Sequence, residues 1–133
     1  ETIIIDDSYN SSPLACEAAL EVLSKFKKNR RIAVLGSMRE LGINTEEAHR
    51  RAGLKAAKVA SILFLVGDEM VFAREEAQKN GLKLEEDLFW FDASDMAAKK
   101  VEQILKPGDV VLIKGSLSVR MEAVVEEIRM LAS

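Results

Sequence analysis

Five short apolar runs, each separated from the next by a stretch long enough for a helix, limit this chain's fold more than any other feature. The runs are "TIIID", "RIAVLG", "SILFLVG", "LFWFD" and "DVVLIKG". Consecutive apolar positions, rich in β-branched residues, suit strands covered on both faces, as in a parallel sheet. The first intervening stretch opens with Ser12 as an N-cap and Pro13 at the first helical position. Leu14, Ala18, Val22 and Phe26 mark one face there, with Ala15, Ala19 and Leu23 beside it. A second helix is expected from about Asn44, with Glu47 as a reciprocal cap, to about Lys58. A third spans roughly 68–80 and stops at Gly81, a fourth runs from Ser94 to about Leu105, and a fifth starts near Ser118. Five β–α units in series imply right-handed crossovers and an α/β fold: an open, mostly parallel sheet with helices on both faces.

Composition narrows the function classes. A chain of 133 residues, 48% hydrophobic and 31% charged, fits one globular domain with its own core. The net charge is −3 and the basic residues are scattered, so no nucleic-acid surface is expected. The longest basic run, "KFKKNRR" at 25–31, reads as a solvated helix end leading into a strand. Cys16 is the only cysteine, which excludes an intrachain disulfide and a Cys-based metal site; it reads as a small apolar filler. No apolar run approaches the roughly 18 residues of a membrane span, so membrane insertion is not expected. The sequence starts at Glu1 and enters a strand at once, as a domain excised from a longer protein would.

In open α/β sheets, ligands bind beyond the carboxyl ends of the strands. Those ends read "DDSYNSS", "GSMRELG", "GDE", "DASD" and "KGSLS". Caps and tight turns account for about half of these polar residues. Asp6 and Asp7 can accept from hydroxyls or an ammonium, Tyr9 offers a ring face, and Asn10 both donates and accepts. Lys114, Gly115 and Ser116 suggest a cationic turn open to a phosphate or carboxylate. There is no G-x-x-x-x-G-K-[ST], no G-x-G-x-x-G after a strand and no G-x-S-x-G elbow. His49, the only histidine, lies within a helix, where an exposed or capping role is expected before a catalytic one. A binding rim remains, without a self-contained catalytic centre.

The segments "DDSYNSSPLACEAALEVL", "RIAVLGSMRELGINTEEAHRRAG", "LFLVGDEM" and "DVVLIKGSLSVRMEAVVEEI" together resemble the C-terminal domain of the Mur ligases, of the MurF type. The resemblance covers essentially the whole chain in order. It implies a Rossmann-like domain without the dinucleotide fingerprint, residues 1–133 being the last of three domains. It also implies an ATP-dependent amide ligase of the bacterial cytoplasm, which adds D-Ala-D-Ala to UDP-N-acetylmuramoyl-tripeptide in peptidoglycan synthesis. Catalytic groups, the phosphate loop and the Mg2+ ligands would sit in the central domain, and the UDP-sugar in the N-terminal one. ATP and Mg2+ would be cofactors of the full-length enzyme, with none bound by this domain alone. Carried over by position, Asp6, Tyr9 and Asn10 would face ATP. Lys114, Gly115 and Ser116 would lie near the dipeptide, with Ser37 and Glu40 as further substrate contacts and His49 as a secondary candidate.

Three positions depart from the pattern: Ser12 replaces an asparagine, Ser37 an acid and Leu117 an arginine. These put the contacts at those positions in doubt. Two other readings stay open, a Mur-type ligase for a different amino acid and a non-catalytic Rossmann-like binding or regulatory module.

Overall fold

Each of the five apolar runs forms a strand, and the last of them is inserted between the first two. The computed structural model describes residues 2–7, 12–39, 41–115 and 130. In chain order it contains β1 (Ile3–Asp7), α1 (Pro13–Ser24), β2 (Arg31–Gly36), α2 (Thr45–Val59), β3 (Ile62–Val66), α3 (Met70–Lys79), β4 (Leu88–Phe91), α4 (Ser94–Ile104) and β5 (Val110–Lys114). A 3-10 turn over Gly42–Asn44 precedes α2. The strand order is β1-β5-β2-β3-β4, and every pairing among the described residues is parallel. The expected fifth helix lies outside the described residues.

Strand alternation sends neighbouring residues to opposite faces. Leu35, Leu65 and Leu112 pack with Leu20 of α1, Ala56 of α2 and Ala73 of α3 in one core cluster. Val34, Phe64 and Ile113 pack with Ala97 and Val101 of α4 in the other. Three crossovers advance across the sheet on one face, and α4 returns on the opposite face, as right-handed connections require. Full burial of each such Leu, Ile or Phe side chain contributes about 1.5–3 kcal/mol. The two-sided covering inferred from the sequence holds for β2, β3 and β5 but less for β1, an edge strand in which Ile3 is exposed.

The buried side of α1 differs from the expectation. Cys16, Ala19, Leu20 and Leu23 are buried, whereas Leu14 and Val22 are 81% and 45% exposed and Ala18 is also exposed. Because α1 is apolar on nearly all sides, spacing alone does not single out a face. Glu17 and Glu21 point towards α2 and pair with Arg51 and Lys55, which is consistent with the rotation that buries Leu20. Exposed pairs of this kind contribute little, so packing sets the rotation. The start of the helix is as read: Pro13 is its first residue, and the Ser12 hydroxyl accepts from the Ala15 N–H at 3.1 Å. Asn44 forms no side-chain cap on α2, and the Thr45 hydroxyl instead donates to the Gly42 carbonyl.

The basic run at 25–31 is only partly a solvated helix end. Arg30 forks onto Asp109, with Nε to Oδ1 at 2.9 Å and Nη2 to Oδ2 at 2.6 Å, and the Asp109 side chain is only 4% exposed. Arg31 donates to the Val59 and Phe26 carbonyls. The run therefore anchors the amino-terminal edge of the sheet, where Asp109 also accepts from the Lys106 N–H.

Gly53 lets α2 approach α3 closely: a Cβ there would lie within 3.0 Å of backbone atoms of Ala73. Helix propensity alone would favour Gly53→Ala by about 1 kcal/mol. Overpacking of a close contact costs about 1–3 kcal/mol, so a net loss of up to about 2 kcal/mol is expected. Urea unfolding of G53A checks this; a stabilised variant would contradict the packing described.

Candidate functional site

Parallel register brings the carboxyl ends of the strands level. Asp6 pairs with Ile113 and Asp7 with Lys114 across β1 and β5, while Leu35 of β2 meets Lys114 from the other side. Gly36 pairs with Val66 of β3. Residues 6, 36 and 114, remote in sequence, thus share one rim.

On that rim Asp6 is exposed. Lys114 differs from the expected open cation. It is the last residue of β5 and only 2% exposed, and Gly115 after it is also buried. Strands pair with Lys114 on both sides, and its side chain is covered by protein. Ser37 is fully buried; its N–H donates to the Val66 carbonyl at 2.9 Å, continuing the β2–β3 ladder by one residue. Tyr9, Asn10, Glu40 and Ser116 lie outside the described residues.

His49 is buried at 0% exposure, against the expected exposed or capping role. Its Nε2 accepts the Met38 N–H at 2.9 Å, and its Nδ1 lies 2.6 Å from the Thr45 carbonyl one turn earlier in α2. A carbonyl can only accept, so Nδ1 carries the proton and Nε2 presents its lone pair. Burial pushes the imidazole pKa down, partly opposed by the Thr45 carbonyl and the Glu69 carboxylate. A position within a helix does not by itself give exposure, and here α2 turns this residue towards the loop after β2.

Glu69, in the turn between β3 and α3, was not singled out from the sequence. Its Oε2 accepts from Arg39 at 3.1 Å, whereas the buried Oε1 has no hydrogen-bond partner. Burial works against its ionisation, but its own backbone N–H, the Ser37 hydroxyl, Arg39 and His49 together hold the carboxyl below its ordinary value. The "GDE" at a strand end was the available signal. Beside the rim, a cavity of about 240 Å³ between α1 and α2 is lined by residues including Pro13, Glu17, Asn44, Glu47 and Arg51, none of them predicted site residues. Among the described residues, no cluster of three or more His, Cys, Asp or Glu side chains is placed to hold a metal ion. No described helix is long and apolar enough to cross a membrane.

A parallel five-stranded sheet, helices on both faces and a polar rim at the carboxyl ends of its strands define a Rossmann-like α/β domain. A family model described as "Mur ligase, glutamate ligase domain" matches residues 1–117, and the chain belongs to this family. Over 129 residues it is 30% identical to the UDP-N-acetylmuramoyl-tripeptide–D-alanyl-D-alanine ligase of Synechocystis, covering 96% of this chain and 28% of that protein. The ligase of the same name from Treponema pallidum is 32% identical over 117 residues, 87% of this chain and 25% of that protein. The crystal structure of MurF ligase from Thermotoga maritima in complex with ADP superposes with a TM-score of 0.78 at 30% identity, over 97% of this chain and 28% of that one. MurF from Acinetobacter baumannii gives a TM-score of 0.80 at 25% identity, with 97% and 28% covered. The chain thus spans about a quarter of the relatives' length.

The His49 geometry carries a pH dependence. In the unfolded chain the ring takes up a proton near pH 6.5, whereas the folded ring resists it until lower pH. Below about 6.5 the unfolded state binds more protons, so stability is fully present above that pH and falls as pH drops towards the folded-state value. Urea midpoints measured from about pH 7.5 to 5.5, above the range of ordinary carboxylates, are expected to decline in the wild type and stay flatter in H49Q. Equal slopes would remove the assignment.

Proposed function

We propose that this chain is the C-terminal domain of a three-domain, ATP-dependent ligase that adds D-alanyl-D-alanine to UDP-N-acetylmuramoyl-tripeptide in the bacterial cytoplasm. The observation that carries the reading is a match over most of the chain to about a quarter of the length of ligases bearing that name. A neighbour crystallised with ADP supports nucleotide binding by the full ligase. The polar rim and the missing phosphate-binding motif agree with a domain that completes a site built largely elsewhere.

ATP, with Mg2+ held by the central domain, supplies the phosphoryl group that activates the terminal carboxylate as an acyl phosphate for attack by the dipeptide amine. This chain's part is positioning and the exclusion of water on closure. Asp6, exposed at the end of β1, accepts from the ribose hydroxyls, with Tyr9 and Asn10 beside the nucleotide. Ser37 and Glu40 border the amine substrate. Lys114 and Gly115, with Ser116 after them, underlie the reacting groups; because Lys114 is covered, it acts through its field more than by direct contact.

The test uses the full-length enzyme and follows ADP release with muramoyl peptide and D-Ala-D-Ala. Turnover is expected with the dipeptide and not with single amino acids; equal turnover with a single amino acid would overturn the assignment. In the same enzyme, Asp6→Ala should raise the KM for ATP about tenfold, the loss of a charge-assisted hydrogen bond, with the domain still folded. An unchanged KM would remove Asp6 from the nucleotide site.

A further inference from the structure

The loop leaving β2 is held by contacts from three elements. Ser37 donates its N–H to Val66 at the end of β3, Met38 donates to His49 of α2, and Arg39 pairs with Glu69 in the turn before α3. The middle contact differs from the others. Met38 is 3% exposed and lies beyond the end of β2, so its buried N–H has no strand carbonyl to meet and depends on a side-chain acceptor. His49 is that acceptor only because the Thr45 carbonyl keeps the proton on Nδ1.

We propose that His49 is the positioning residue of the amine-substrate loop: its neutral ring accepts the Met38 N–H, fixes the loop at the rim and thereby sets the affinity of the ligase for its incoming amine. The inference rests on the functional reading above, which places Ser37 beside that substrate. His49 itself touches neither substrate nor nucleotide and acts through the loop.

A second proton on the ring would set an N–H against the Met38 N–H, so protonation breaks the contact. Among the described residues, the charged groups that act on the ring are Glu69 from the β3–α3 turn and Arg39 from the loop itself, and they act in opposite directions. Burial is the larger influence and keeps the ring neutral. Glutamine at this position offers an amide oxygen close to where Nε2 stands, without a titrating group, whereas leucine fills the space with no acceptor.

The test compares wild-type, H49Q and H49L full-length ligase from about pH 8 down to about pH 5, a window that extends below the ordinary imidazole value, measuring KM for D-Ala-D-Ala, KM for ATP and kcat. The ratio of wild-type to H49Q KM for the dipeptide cancels the titration of the substrate's own amine. That ratio is expected to rise as pH falls below the ordinary imidazole value of about 6.5, where the buried ring takes up its proton, with the ratio for ATP near constant; H49L should raise the dipeptide KM about tenfold at every pH, one hydrogen bond lost. A dipeptide ratio independent of pH would overturn the proposal. Hydrogen exchange of the Met38 amide in the same proteins gives a readout that does not need turnover. Wild-type protection should fall with pH relative to H49Q, and equal protection in the two would also overturn the proposal. An enzyme inactive with D-Ala-D-Ala but showing the expected exchange would instead defeat the functional reading and leave the loop contact standing.

Discussion

The insertion of β5 between β1 and β2 is the constraint on which the rest of this structure depends. Without it, β1 would have no partner in the sheet and the ends of β1 and β2 would not be bridged. With it, Lys114 stands level with both Asp7 and Leu35, and a rim forms from segments about 30 to 110 residues apart in the chain. The opposite edge secures the insertion. The Arg30 fork onto buried Asp109 ties the entry of β2 to the turn that starts β5, and the Asp109 carbonyl accepts from Ile3 at the start of β1. Asp109 is buried and Arg30 partly so, and removing one partner would leave a covered charge uncompensated, at a greater cost than losing one of the exposed pairs along α1 and α2. The buried ion pair thus lies at one edge and the polar strand ends at the other.

The rim is also where the molecule accepts unfavourable local arrangements. A lysine is covered at the end of a central strand, a carboxylate oxygen of Glu69 is buried without a partner, and a histidine is kept neutral inside the fold. Natural sequences satisfy local rules nearly everywhere and break them where function requires it. That these departures cluster at the carboxyl ends of β2, β3 and β5, and not around Arg30 and Asp109, agrees with a division between a structural edge and a functional one.

Much of the fold was legible because strand identity depends on local composition. All five apolar runs became strands, and the stops at Gly81 and after Ile104 followed from Gly and Pro chemistry. Facing was less legible. Leu14 and Leu20 look alike to a periodicity argument, and only the sheet beneath α1 decides which is buried. The site was legible by position and not by environment: sequence put Ser37, His49 and Lys114 at or near the rim but gave no sign that all three are buried. Glu69 escaped notice because its partners, Arg39 and Ser37, are some 30 residues away and meet it only through the β2–β3 pairing.

The central claim is that three distant segments form one ligand-facing rim. Hydrogen exchange on the full-length ligase, with and without a non-hydrolysable ATP analogue and D-Ala-D-Ala, tests it most directly. Joint protection of the segments around Asp6, Ser37 and Gly115, with the Arg30 and Gly108 edge unchanged, is the predicted result. Protection at the Arg30 and Gly108 edge, with the three rim segments unaffected, would contradict it.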